Sequence, residues 1–197
     1  MVRTEIDEIR DLCDHCLGRI YALEGHGLSN SDRGRAIKVI YAMEHDLNIE
    51  SLYPEKCMVC GNIFDNVEKY AQLVIEELKN YEFQTFLIGS RVDFETMEKD
   101  EKLRQKYGGR GEKITNEIDR EIGKIVSERI NKDVSFNDPD ITAIIDVTYE
   151  YVELRVKPIF IYGRYRKLVR GIPQTKWIKG KGEMSVEEMV GEICKKH

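Results

Sequence analysis

The chain has 197 residues, 41% of them hydrophobic and 34% charged, and a formal net charge of −5. That length suits one ordinary domain or two small ones with a real apolar core. No apolar run approaches the roughly 20 residues of a membrane span, and the acidic start MVRTEIDEIRDLC lacks the apolar stretch of a secretory signal. A cytoplasmic chain away from the membrane is expected, and there clustered cysteines mean metal or redox chemistry rather than structural disulfides.

In chain order, Ile6, Ile9, Leu12, Cys16 and Leu17 approximate helical spacing and predict a helix leading into the first cysteine pair. Ser29 to Ser31 offer an N-cap for a second helix, with Ala36, Ile37, Val39, Ile40, Met43 and Leu47 as its apolar stripe. Pro54 interrupts the pattern before the second cysteine pair. A helix over about 64–81 follows from Val67, Tyr70, Ala71, Val74, Leu78 and Tyr81. FQTFLIG from Phe83 reads as a strand. Ile114, Ile118, Ile122, Ile125, Val126 and Ile130 line one face of a long helix. ITAIIDVTY from Ile141 and VELRVKPIFIY from Val152 read as two further strands, with Pro158 at an edge or bulge of the last. SVEEMVGEIC fits a short helix capped at Ser185, with Glu188 at the capping-box position.

The most specific local pattern is in the cysteines. Cys13 and Cys16 in CDHCLGR are matched by Cys57 and Cys60 in CMVCG, with forty residues, Leu17 to Lys56, between the pairs. Two C-x-x-C knuckles supply the four thiolates that tetrahedral Zn2+ requires, and the long interval calls for an inserted helix. A thioredoxin-type redox pair would explain only one knuckle. Four unrelated buried thiols would need two coincident spacings, and a four-cysteine iron–sulfur cluster stays open as the alternative metal centre. Four sulfurs close the coordination sphere, so His15 reads as an outer or surface residue and the metal as structural. Cys194 reads as an ordinary free thiol.

The net charge conceals a polarity. From Leu154 to Gly182 there is no acidic residue and there are nine basic ones; the rest of the chain then carries 22 basic against 36 acidic residues, or −14. Such separation points to a polyanion-binding face, against the plainer reading of a strand edge guarded by Lys and Arg. IYGRYRKLVR interleaves Tyr162 and Tyr165 with Arg164, Arg166, Lys167 and Arg170, and Lys176 and Trp177 follow. Arginine pairs with phosphate and aromatic rings stack on unpaired bases. KYGGRGEKIT, with Arg110 and Lys113 ahead of the long helix, is a second candidate phosphate contact. It is not a Walker A loop, since no G-K-[ST] is present. Nothing in the sequence forms a recognisable catalytic constellation.

CDHCLGR with SDRGRA, the pair at Cys57 and Cys60, the strand–helix–strand block from Phe83 and PIFIYGRYRKLVRGIPQTKW together resemble the archaeal and eukaryotic tRNA pseudouridine synthase family numbered ten, which modifies the T-loop. The resemblance covers nearly the whole chain, and its last motif is the most specific. It implies that Cys13, Cys16, Cys57 and Cys60 are zinc ligands and that a THUMP-like region binds tRNA, usually near the acceptor end. It also places Arg164, Arg166, Lys167 and Arg170 in the motif joining that region to a catalytic domain. The Asp that acts on uridine in that domain matches no residue here, and the ending IKGKGEMSVEEMVGEICKKH reads as a degenerated or natural terminus.

The expected fold is α+β. A zinc-stapled helical segment (1–62) and a connecting helix (63–81) precede a THUMP-like α/β domain (82–170) and a tail (171–197). The expected function is an RNA-binding, most plausibly tRNA-binding, module with structural Zn2+. The alternatives are a subunit of a split tRNA pseudouridine synthase, working with a separate catalytic chain, and a protein-interaction module without RNA binding.

Overall fold

The computed structural model describes residues 8–158, 166, 168, 170–176 and 184–195. It contains two compact units, Met1–Lys157 and Pro158–His197. The first holds helices α1 (Asp14–Ile20), α2 (Asn30–Glu44), α3 (Val67–Leu78), α4 (Phe94–Lys106) and α5 (Ile114–Ile130). Its strands are β1 (Thr85–Arg91), β2 (Asp133–Val134), β3 (Ile141–Asp146) and β4 (Tyr151–Val156). The second unit holds α6 (Val186–Lys195). Helices beside one mixed sheet make this the α+β class expected.

The sheet order is β2-β1-β3-β4, with β1 parallel to both neighbours and β4 antiparallel to β3. Along β3 burial alternates strictly: Ile141, Ala143 and Ile145 are buried, and the residues between them are half-exposed. That period of two gives the sheet one sealed face. Phe86 and Ile88 of β1 share the seal, and α3 and α5 pack over it. α5 supplies Ile114, Ile118, Ile122 and Val126, and α3 supplies Val67, Tyr70, Ala71, Val74 and Leu78. The core continues without a break into the cysteine segment through Ile9, Leu12, Cys16, Leu17, Ile20, Ile37 and Phe64.

Two expectations need correction. Residues 8–12 form turns rather than a helix into the first knuckle; α1 begins after Cys13, whose sulfur caps it by accepting from the Cys16 amide at 3.5 Å. And α2 does not bury the stripe read from the sequence. Its buried face is Asn30, Gly34, Ile37, Lys38 and Ala42, whereas Ala36, Val39, Ile40 and Met43 are exposed. The reason is how closely the two helices approach. A Cβ built on Gly18 would lie 1.7 Å from the Asn30 carbonyl oxygen, and one on Gly34 would lie 1.9 Å from that of Asp14. α1 and α2 therefore meet backbone to backbone, and only glycine fits at the crossing. The capping box at Ser29 is present, with Asp32 as its partner.

Candidate metal centre and the surfaces around it

Cys13 and Cys16 sit on the first turn of α1, where the capping geometry turns both sulfurs the same way. Cys57 and Cys60 occupy a tight turn fixed by Asn62, whose side-chain oxygen accepts from the Cys57 amide at 2.8 Å and whose amide donates to the Glu55 carbonyl at 2.8 Å. Asn62 itself adopts a left-handed φ of 71°, a conformation that Asn tolerates better than most residues. The Met58 amide donates to the Asp11 carbonyl at 2.8 Å and draws the second knuckle onto the first.

All four sulfurs lie within 4.8 Å of one another, and Cys13 Sγ and Cys60 Sγ are 3.6 Å apart. Zn–S bonds of about 2.3 Å in a tetrahedron require sulfurs separated by roughly 3.8 Å. The thiols are unpaired as disulfides, and three of the four are buried. Burial pushes the Cys16 thiol well above its ordinary range, and its sulfur neighbours add to this. Hydrogen bonds from Cys13 and Cys16 hold Cys57 and Cys60 below theirs. Four sulfurs this close can all be thiolates only around a cation. The four cysteines are thus placed to bind a metal ion, and the donor set fits the group expected.

His15 lies outside the sulfur set. Its ring stacks on Phe64 with centroids 4.2 Å apart, and Nδ1 is 2.8 Å from Glu117 Oε1. Next to the cluster is a feature not anticipated from the sequence, the buried cation of Arg19. Its Nη1 donates to Cys16 Sγ at 3.5 Å and to Glu117 Oε2 at 3.3 Å, and its Nη2 donates to Asp100 Oδ1 at 2.8 Å. Arg19 and Glu117 are essentially sealed from solvent. Burial disfavours the guanidinium; Cys16, Glu117 and Asp100 more than offset that. Asp100 also accepts from the Arg104 side chain at 3.1 Å and from the Ile114 amide at 3.3 Å. One arginine therefore ties the sulfur cluster to α4 and α5. The signal was present in CDHCLGR, since an Arg at the third position after a metal-ligating cysteine can reach back to its sulfur along the helix.

The predicted RNA contacts fall into three groups. Arg164, Lys167 and Trp177 lie outside the described residues. Arg166, Arg170 and Lys176 are exposed in the second unit, where Lys176 Nζ is 3.3 Å from Glu188 Oε1. Arg110 and Lys113 are exposed before α5. The first amide of that helix, on Ile114, already bonds to Asp100, and the helix carries the buried Glu117 in its first turn. These carboxylates offset much of the positive helix end. In the second unit the capping box at Ser185 is formed: Ser185 Oγ accepts from the Glu188 amide at 3.2 Å, and Glu188 Oε2 accepts from the Ser185 amide at 2.9 Å. No helix among the described residues is long and apolar enough to cross a membrane.

Comparison with known proteins gives a consistent result. Residues 70–146, which run from α3 through β3, match the archaeal Pus10 THUMP domain. The tRNA pseudouridine synthase Pus10 of Pyrococcus furiosus is 45% identical over 172 residues, covering 87% of this chain and 44% of that protein. Those of Picrophilus torridus and Thermoplasma acidophilum are 39% and 36% identical, each covering 92% of this chain and 47% of the relative. The chain thus spans a little under half the length of these relatives. No solved structure matches. The family expected from the paired knuckles and the basic motif is borne out: over nearly all its length this chain is similar to the tRNA pseudouridine synthases Pus10, and its central block matches their archaeal THUMP domain.

Proposed function

We propose that this chain binds tRNA through a metal-stapled THUMP scaffold. The observation that carries this reading is the likeness of about nine-tenths of the chain to proteins named tRNA pseudouridine synthase, with the THUMP match on the folded sheet. The acid-free segment from Leu154 to Gly182 supplies the phosphate-binding charge, through Arg164, Arg166, Lys167, Arg170 and Lys176, with Trp177 as a stacking residue and Arg110 and Lys113 as contacts from the sheet unit. Affinity resting on Lys and Arg contacts falls as counterions compete. Cys13, Cys16, Cys57 and Cys60 hold Zn2+. With four protein ligands and no open position the ion contributes folding energy rather than chemistry. The fixed positive charge of Arg19 lies beside a site whose four thiolates and one Zn2+ sum to −2.

The reversal Arg164→Glu with Arg166→Glu and Lys167→Glu tests the reading. Binding of tRNA to the metal-loaded chain should weaken by at least an order of magnitude and show a shallower salt dependence. Unchanged binding would move the RNA surface elsewhere, and absence of binding by the parent chain at low salt would favour a protein-interaction role. A second reading has its own support in the relatives, which are synthases about twice as long as the stretch matched here. In it this chain delivers tRNA to a pseudouridine synthase catalytic chain. Conversion of labelled uridine with and without such a chain distinguishes the two.

A further inference from the structure

A groove on the first unit belongs neither to the sulfur cluster nor to the basic segment. It lies between α5 and the β1–β2 edge and encloses about 690 Å³. Leu87, Ile88, Val134 and Gly123 give it apolar walls, and Asn116 and Asp119 enter it from α5, three residues apart and so on one helix face. Phe136 lines it as a residue 82% exposed. The ring is displayed by an anchored backbone, because the adjacent Ser135 amide bonds to the Phe86 carbonyl at 2.9 Å.

Two observations say what chemistry fits. Ser90 bonds to the Asp119 carboxyl group, yet Asp119 Oδ1 is buried without a hydrogen-bond partner, which costs free energy unless a donor reaches it. Beside it, among the described residues, no side-chain hydrogen bond engages the exposed Asn116 amide. The groove therefore joins apolar walls to an α5 face that offers the Asp119 carboxyl group and the Asn116 amide, with Glu112 and Ser127 also in its lining. The cations at its rim are already occupied, Arg120 by Glu112 and Lys124 by Glu121, so a bare phosphate finds no free charge there. An apolar peptide would leave the Asp119 oxygen buried and unpaired. A heteroaromatic ring carrying an N–H next to an acceptor satisfies both polar groups while occupying part of the groove, and every nucleobase has that edge when it is not base-paired.

We propose that this groove binds one unpaired nucleobase of the RNA, with Phe136 stacked on the base and Asp119 and Asn116 hydrogen-bonded to its Watson–Crick edge. The inference rests on the RNA-binding reading above and adds to it a site for a single-stranded nucleotide. Burial pushes Asp119 up to about 6, so at neutral pH it is mostly ionised and accepts rather than donates.

The test uses the full metal-loaded chain and a short single-stranded RNA carrying 2-aminopurine, whose emission is quenched by stacking, with tRNA binding measured in parallel. The parent chain should quench the probe. Phe136→Ala, an exposed position whose loss leaves the core intact, should abolish quenching and weaken probe binding about tenfold, as expected for one stacked base. Phe136→Tyr should retain both, and Asp119→Ala should weaken binding while leaving some quenching. If tRNA binds but probe emission and affinity are indifferent to Phe136, the groove proposal is overturned and the RNA-binding reading stands. If neither RNA binds, both fall.

Discussion

The cysteine segment and the sheet region share one apolar core, yet different forces hold them. The sheet region relies on periodic burial: every second residue of β3, and the i, i+4, i+8 isoleucines of α5, face the same interior. The cysteine segment also buries large apolar side chains, among them Ile9, Leu12, Leu17 and Leu52. To these it adds a metal-ready sulfur cluster, a backbone-to-backbone helix crossing at Gly18 and Gly34, and buried charges at Arg19 and Lys38. Lys38 Nζ lies 3.2 Å from Asp14 Oδ1 and 4.0 Å from the centre of the Tyr53 ring. Apolar packing degrades gradually when a methyl is lost, whereas a metal site, a glycine crossing and a buried ion network fail sharply.

Four substitutions sharpen that contrast. Cys16→Ser should have the largest effect, removing about 5 kcal/mol, a share of the roughly 10–16 kcal/mol a structural zinc contributes; metal content and thermal melting report it. Arg19→Met should cost about 3–5 kcal/mol, because it removes the buried counter-charge shared by Asp100 and Glu117 and leaves Asp100 with Arg104 and Glu117 with His15. Urea denaturation of the metal-loaded protein checks it. Gly34→Ala should cost about 1–3 kcal/mol through the clash with Asp14. By contrast, alanine at Gly123, where a Cβ meets only Ile88 Cγ1 at 3.8 Å, should be neutral or slightly stabilising.

A fifth substitution should stabilise in a pH-dependent way. Burial raises the folded pKa of Asp119 to about 6, and Ser90 opposes the shift only in part. An acid raised on folding favours the native state when protonated. Stability from this group is therefore greatest below its unfolded value, near 4, and declines as pH rises through about 6. Asp119→Asn should raise stability at pH 7 by about 1 kcal/mol, after allowance for solvent screening of a partly exposed group. It should do much less at pH 4. Comparing variant and parent at each pH cancels the metal's own pH dependence. If Asp119 serves a ligand, this is stability given up for binding.

The two regions also differed in how much the sequence revealed. The faces of α3 and α5 and the strands β1 and β3 were readable because burial there follows a regular period, β4 because of its branched and aromatic residues, and the Ser185 capping box because Ser185 and Glu188 stand three residues apart. β2 is two residues long and carries no period to detect. α4 has only Thr96, Asp100 and Leu103 buried, so its pattern is polar almost all round. On α2 the apolar stripe, Ile37 apart, pointed to the exposed face, since glycine contact replaced bulky packing. The cysteine spacing identified the sulfur cluster, but not Arg19, Asp100 and Glu117, which lie up to 98 residues apart and meet only in the fold. The groove with Asp119 and Phe136 was equally hidden, since one oxygen without a partner leaves no trace in a sequence.

The measurement that tests this division most directly is hydrogen exchange on the metal-loaded chain before and after chelation. The account predicts one equivalent of zinc. After its removal, amides of α1, α2 and the Cys57–Cys60 turn should lose protection, α4 and the start of α5 should lose part of theirs through Arg19, and β1, β3 and the rest of α5 should keep it. Uniform protection with and without metal would contradict the claim that the sulfur cluster holds the cysteine segment together.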